Sequence, residues 1–230
     1  MKKPFKGLHY HKDVVMLCVI FYLKFQLSTR ALEEIVTLRN LSIDHATINR
    51  WVIKFSELIE KNFRNRTQKF TGKYYVDETY VKVKGKDMYL YRAIDRNHET
   101  VDFYFSSHRN KKAAKRFFER MFKRAGTPEE ITMDKSGANL SAIKTINKKL
   151  EKKGEKTIAI RQIKHLNNRL EQDHRAIKRK TSQIQTFKSF YSAKFTLAGI
   201  EVVHAKTKSL KLTRDYCLKN LINEVTALVA

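Results

Sequence analysis

The hydrophobic period of this chain changes once, near residue 70, and that change limits the folds open to it. From Val14 to Phe63 apolar residues recur at helical spacing; from Lys73 onward, runs rich in Tyr and Val alternate with short polar links. A first helix is expected over Asp13 to Phe25. Ser28-Thr29 then offers an N-cap to a second helix carrying Leu32, Ile35, Val36 and Leu38. Arg39 to Ile43 breaks the pattern, and Asp44 caps a third helix with Ile48, Trp51, Val52, Phe55, Leu58 and Ile59 on its apolar face. Beyond the basic stretch that follows, Lys73–Val83, Met88–Ile94 and Thr100–Phe105 read as three strands in antiparallel hairpins. A helix over Asn110–Arg124 ends at Gly126-Thr127-Pro128, and a short strand, Glu130–Met133, runs into Asp134. A Lys-rich helix from about Ser141 to Lys153, a strand Thr157–Ile163 and a helix Asn167–Lys180 complete the series. The order β-β-β-α-β-α-β-α is one of few that build a mixed sheet with helices on both faces. The chain therefore divides into a small all-α domain (1–63), a basic linker (64–73), an α/β domain (74–205) and a C-terminal helical tail (206–230).

Composition narrows the partner. With 7 Gly and 2 Pro in 230 residues, the chain lacks the turn residues of a many-stranded all-β sandwich. Its 42% hydrophobic content excludes a disordered basic tail. A formal net charge of +25 calls for a polyanion, most commonly nucleic acid, with an anionic membrane surface the weaker alternative. Cys18 and Cys217 form no disulfide framework or zinc motif, and His9-Tyr10-His11 suggests no metal site. The apolar run Val14–Leu23 follows Lys2 and Lys3 as a signal peptide would. Asp13 abuts it, His9, His11 and Lys12 intervene, no small-residue cleavage site follows, and the run is too short to span a bilayer. It reads as a buried helix of a cytoplasmic protein.

Two groups of residues carry candidate chemistry. On the third helix Thr47, Arg50 and Lys54 share the face opposite the apolar one, with Asn49 and His45 beside them, an inventory suited to base edges and phosphates. A helix-turn-helix fits, although any small helical bundle also has two short helices joined by a turn. The second group is acidic: Asp77 in the first strand, Asp134 directly after the fourth, and Glu171 on the last helix of the α/β series. If the first and fourth strands are neighbours, Asp77 and Asp134 meet, and a crossing helix can present Glu171 above them. Three clustered carboxylates call for a divalent cation, Mg²⁺ or Mn²⁺, and two such ions suit in-line phosphoryl displacement. Singly, each Asp also reads as a turn or cap residue, and Glu171 as a partner for Arg175 at i+4. On that helix Leu166, Leu170 and Ile177 form the apolar face, while Asn167, Glu171, His174, Arg175 and Lys178 share a polar one. Glu78 is expected on the opposite sheet face from Asp77, and Asp173 about 200° around the helix from Glu171, so both are assigned structural roles. For oligomerisation the sequence offers Leu218, Leu221, Ile222, Val225 and Leu228, a stripe that also suits packing on its own domain.

At these residues the sequence resembles the DDE transposases of bacterial insertion sequences, specifically the insertion-sequence-six family. The stretches carrying the resemblance are Val76–Lys86 with Tyr89–Asp95, Met133-Asp134-Lys135, Leu166–Arg179, Phe187–Phe190 and Thr196–Glu201. The 37-residue step from Asp134 to Glu171 is slightly longer than that family's usual interval, and the Lys-rich Lys144–Lys156 stretch accommodates the excess. The resemblance implies a ribonuclease H-like catalytic domain preceded by a helix-turn-helix domain. It implies Asp77, Asp134 and Glu171 as catalytic metal ligands for two Mg²⁺ ions, with Mn²⁺ a possible substitute. It further implies strand cleavage at terminal inverted repeats, transfer of the 3′-hydroxyl into target DNA, and synapsis by a dimer or larger homo-oligomer, in a nucleoid-associated bacterial protein without a membrane partner. In this reading His174, Arg175 and Lys178 position phosphates; Thr47, Asn49 and Arg50 read repeat DNA, and Lys54 holds its backbone. A metal-dependent nuclease without strand transfer and a non-catalytic DNA-binding protein are the alternatives.

Overall fold

The computed structural model describes residues 4–66, 70–135, 137–163 and 168–229. Three helices come first: α1 (Lys12–Lys24), α2 (Thr29–Thr37) and α3 (His45–Asn65). The strands β1 (Lys73–Val83), β2 (Lys86–Asp95) and β3 (Thr100–Ser106) follow, then α4 (Lys111–Ala125), β4 (Glu130–Met133), α5 (Gly137–Lys152), β5 (Ala159–Arg161) and α6 (Asn168–Ile184). Two further helices, α7 (Phe190–Leu212) and α8 (Leu218–Thr226), end the series. The chain folds as two compact units, residues 1–66 with 177–230, and residues 67–176. Everything from Ile177 onward thus groups with the N-terminal helices, whereas the sequence reading carries the α/β domain on to 205 and sets 206–230 apart as a tail.

The first unit is all helical. The apolar run at the start is α1, which buries Val15, Met16, Val19, Ile20 and Leu23. No helix among the described residues is long and apolar enough to cross a membrane. Ser28 caps α2 by accepting from the Ala31 N–H at 3.0 Å. Its apolar face is narrower than expected: Leu32 and Val36 are buried, but Ile35 is 40% exposed and Leu38, the C-cap residue, 83% exposed. Asp44 caps α3 by accepting from the Ala46 and Thr47 N–H groups. Helix α7 is buried nearly all round against α3, α1 and α8. Leu221, Val225 and Leu228 are buried within this unit, so the stripe considered for oligomerisation packs on its own domain.

The second unit is a five-stranded sheet in the order β3-β2-β1-β4-β5, with β1 to β3 antiparallel and β4 and β5 parallel to β1. Lys84 and Gly85, both left-handed at φ 50° and 76°, form the two-residue turn that matches the twist of β1 and β2. Helices α4 and α5 cover one face, where Phe117, Phe118, Met121 and Ile143 meet Tyr74, Val76, Tyr91, Ala93 and Met133. A three-stranded meander continued by two parallel strands with helical crossovers gives the mixed α/β sheet expected from the order of elements. Beyond shifts of one or two residues at element ends, three boundaries differ from the sequence reading. Helix α5 starts at Gly137, because Asn139 is buried against Glu78 and gives its weakly helical first turn tertiary support. Strand β5 spans three residues and pairs with the four-residue β4. Helix α6 runs on to Ile184.

Two features of the first unit make predictions. A Cβ on Gly199, in mid-α7, would collide with the Ser56 side chain and lie 2.9 Å from Leu23 Cδ1. Alanine normally stabilises a helix interior by about 1 kcal/mol over glycine. Here overpacking at about 1–3 kcal/mol outweighs that gain, so Gly199→Ala is expected to lower the denaturation midpoint. Lys180 is 3% exposed, donates to the Leu27 carbonyl at 3.0 Å and lies 4.0 Å from the Tyr22 ring centroid. Burial pushes its ammonium down to about 8. Between that value and the ordinary lysine range near ~10.4, the unfolded chain holds the extra proton, so the site's contribution to stability rises with pH across that window. Urea unfolding at pH 7.5, 9 and 10 should show wild type gaining on the order of 1–3 kcal/mol relative to Lys180→Met.

Candidate active site

The parallel pairing of β1 with β4 ends at Val76 opposite Met133, and the next residues on the two chains are Asp77 and Asp134. The two strands are neighbours, and the two carboxylates come together. Carboxylate oxygens of Asp77, Glu78 and Asp134 all lie within 4.8 Å of one another, each residue half-buried. Backbone alternation starts Glu78 on the face covered by α4 and α5, as the sequence suggests. Its carboxylate nevertheless joins the other two because β4 stops at Met133 and leaves the end of the sheet open to both faces. The cluster thus includes Glu78, which the sequence reading sets on the opposite face from Asp77.

Such a cluster repels itself, and a cation stands beside it. Arg109, just before α4, places Nε 3.3 Å from Glu78 Oε1 and Nη2 3.9 Å from Asp134 Oδ2. The Asn139 amide donates to Glu78 Oε2 at 3.1 Å. Burial raises the Glu78 carboxyl above its ordinary range; Arg109 opposes this, and Asp134 and Asp77 add to it. Burial alone would lower the Arg109 guanidinium, but Glu78 and then Asp134 leave it raised. The donor set fits a hard divalent ion. Oxygens sharing one octahedral Mg²⁺ at 2.0–2.1 Å stand about 2.9 Å apart when adjacent and about 4.2 Å when opposite, so oxygens within 4.8 Å of one another draw closer to share an ion.

Glu171 is exposed in the first turn of α6, and its carboxylate is not among the three that meet. The faces of α6 differ from the sequence reading in one respect. Leu170, Asp173, His174 and Ile177 are buried, while Glu171, Arg175 and Lys178 are exposed. At 100° per residue, His174 lies only about 40° from Leu170, so it belongs to the buried stripe and not with the exposed cations. Leu166 and Asn167, assigned to the two faces, lie outside the described residues.

The buried stripe meets a charge that the sequence reading misses. Arg92, 1% exposed in β2, stands opposite Asp77 in the β1–β2 register and therefore shares its face. Its Nη2 donates to Asp173 Oδ2 at 2.7 Å, and its Nη1 lies 3.0 Å from His174 Nδ1. His174 Nε2 in turn lies 3.4 Å from Asp77 Oδ2. The sequence does hold a signal for this: an arginine in the middle of an otherwise apolar strand has to find a buried anion. Removing one partner of such a pair costs about 3–5 kcal/mol. Asp173→Asn should accordingly lower the unfolding free energy by that order, measured by chemical denaturation.

In the first unit, Asn49, Arg50 and Lys54 of α3 are exposed, as expected, and Thr47 is half-buried. Thr47 donates to Asp44 Oδ2 at 2.6 Å and accepts from Arg50 Nη2 at 2.7 Å, so it orients the guanidinium and completes the cap. The hydroxyl of Thr47, more than any other contact, holds the Asp44 carboxyl below its ordinary range. Residues 7–10 and this face of α3 line a cavity of about 510 Å³. Tyr10 packs edge-on against Trp51 beside it.

Comparison with known proteins shows the family of the chain. The family model described as a DDE domain matches residues 72–209, and one described as transposase IS66 family matches residues 12–127. The chain is 35% identical over 204 residues to the Staphylococcus aureus transposase for insertion sequence-like element IS431mec, covering 89% of this chain and 88% of the relative. The same figures hold for the S. aureus transposase for insertion sequence element IS257 in transposon Tn4003. Among solved structures, the HTLV-2 integrase catalytic core domain in complex with magnesium aligns over 70% of this chain and 85% of its own, at 15% identity and a TM-score of 0.40. The chain belongs to the DDE transposases of insertion sequences, a class of polynucleotidyl transferases that recombine DNA.

Proposed function

We propose that this transposase belongs to the insertion-sequence-six family, binds the terminal inverted repeats of its element, cleaves the strand ends and transfers the freed 3′-hydroxyl into target DNA. The observation that carries this reading is the β1–β4 register, which sets Asp77 beside Asp134 at the open end of the sheet. Asp77, Asp134 and Glu171 hold two Mg²⁺ ions, with Mn²⁺ as a substitute. When bound, the ions activate water or a 3′-hydroxyl for in-line attack and stabilise the leaving oxygen. No nucleophilic side chain is needed. Glu171 precedes His174, the neighbour of Asp77, by three residues, about 4.5 Å along the same helix. In this reading Glu171 turns toward the two aspartates when metal binds.

Arg175 and Lys178 share the exposed face of α6 with Glu171 and position DNA phosphates. Asn49 and Arg50 read the repeat, Thr47 orients Arg50, and Lys54 holds the backbone. The remaining positive charge serves target DNA of any sequence, so binding falls steeply with salt. Synapsis of two ends requires a dimer or larger homo-oligomer, working on the nucleoid in the bacterial cytoplasm.

Cleavage and strand-transfer assays on repeat-end DNA test the assignment. Asp134→Asn and Glu171→Gln should each bind repeat DNA normally while losing at least about 10³-fold in Mg²⁺-dependent cleavage, a barrier change of about 4 kcal/mol. Glu78→Gln should retain more activity than either. Full activity in Glu171→Gln with loss in Glu78→Gln would transfer the third position to Glu78. Cleavage without joined product from precut ends would identify a nuclease, and metal-independent binding with no cleavage a regulator.

A further inference from the structure

We propose that His174 is a positioning residue for Asp77, its ring held in one tautomer by Arg92, an inference that rests on the reading of Asp77 as a metal ligand. A guanidinium can only donate, so the 3.0 Å contact between Arg92 Nη1 and His174 Nδ1 makes Nδ1 the acceptor. The ring proton then sits on Nε2, which faces Asp77 Oδ2 at 3.4 Å. Arg92 is itself fixed by Asp173 at 2.7 Å. A chain of donors thus runs from a buried ion pair to the carboxylate: Asp173 orients Arg92, Arg92 orients His174, and His174 orients Asp77.

The other Asp77 oxygen is held as well, since Oδ1 accepts the Glu78 backbone N–H at 2.9 Å. Each oxygen of an ionised carboxylate has two lone pairs. With one donor on each among the described residues, Asp77 is restrained in rotation yet keeps a lone pair on each oxygen for a cation. The arrangement matches the general pattern in which partners behind a ligand set its orientation, and in which their loss weakens metal affinity about 10–100-fold. His174 is 3% exposed, so it acts through Asp77 and not by touching DNA.

The test uses the full chain without DNA and follows Mn²⁺ binding by electron paramagnetic resonance, with circular dichroism reporting folding. His174→Phe, which fills the space but removes the N–H, should weaken Mn²⁺ binding by at least about tenfold. His174→Gln, which restores a donor toward Asp77, should stay within about threefold of wild type, a rescue that a packing role would not produce. A folded His174→Phe protein with wild-type affinity overturns the proposal, as does a His174→Gln protein no better than His174→Phe. Should His174→Phe fail to fold, ¹⁵N-histidine spectra of wild type decide instead. A proton on Nε2 with bare Nδ1, and an Nε2 signal that moves on adding Mg²⁺, are expected; a proton on Nδ1 overturns the inference. Asp77→Asn separates the two readings. If it leaves Mn²⁺ affinity unchanged, the metal reading falls and takes this one with it; if it abolishes binding while His174→Phe does not weaken it, only the role of His174 falls.

Discussion

The parallel pairing of β1 with β4 is the contact on which the candidate active site depends. Four residue pairs, from Lys73 opposite Glu130 to Val76 opposite Met133, set the register. A slip of one residue would send Asp134 to the other face and separate it from Asp77. The pairing joins strands more than fifty residues apart, so it is held by the elements between them. The β1–β3 meander fixes one side, and α4 and α5 bury Tyr74, Val76, Ile131 and Met133 on one face. The apolar core under the sheet and the acidic cluster at its end are therefore parts of one construction, since the residues that anchor the register immediately precede the carboxylates.

Charge shapes the rest. In a chain of net +25, three carboxylates sharing a 4.8 Å neighbourhood would scatter if left to their own repulsion. Arg109 steadies Glu78 and Asp134 from one side, and the Asp173–Arg92–His174 chain steadies Asp77 from the other. The first of these cations is partly exposed and can yield to an incoming ion. The second is buried and cannot, because separating Arg92 from Asp173 would leave a desolvated charge. One side of the site is thus adjustable and the other rigid, a division suited to binding metal and a charged DNA strand in turn.

Much of this is legible in the residues alone. The change from helical to alternating periodicity locates the strands, and the β-β-β-α-β-α-β-α order follows from it in full. The Lys73–Val83 and Glu130–Met133 strands have the bounds expected of them, because apolar alternation and polar links are local signals. Less legible are places where a polar residue is buried by a distant partner. Asn139 draws α5 back to Gly137 through Glu78, and Arg92 turns His174 inward although its neighbours Arg175 and Lys178 face solvent. Leu38 departs the other way, apolar in sequence yet left outside at the end of α2.

The sequence by itself determined the order of the elements, which follows from local period and capping, and its resemblance to the DDE transposases pointed to the class of the protein. Tertiary structure alone decided which carboxylates meet, which face of α6 is buried and where the C-terminal helices belong. Those outcomes depend on register and desolvation between segments far apart in the chain. Glu78 shows the difference most plainly: alternation along one strand sets its direction correctly, and only the end of the neighbouring strand brings it to Asp77.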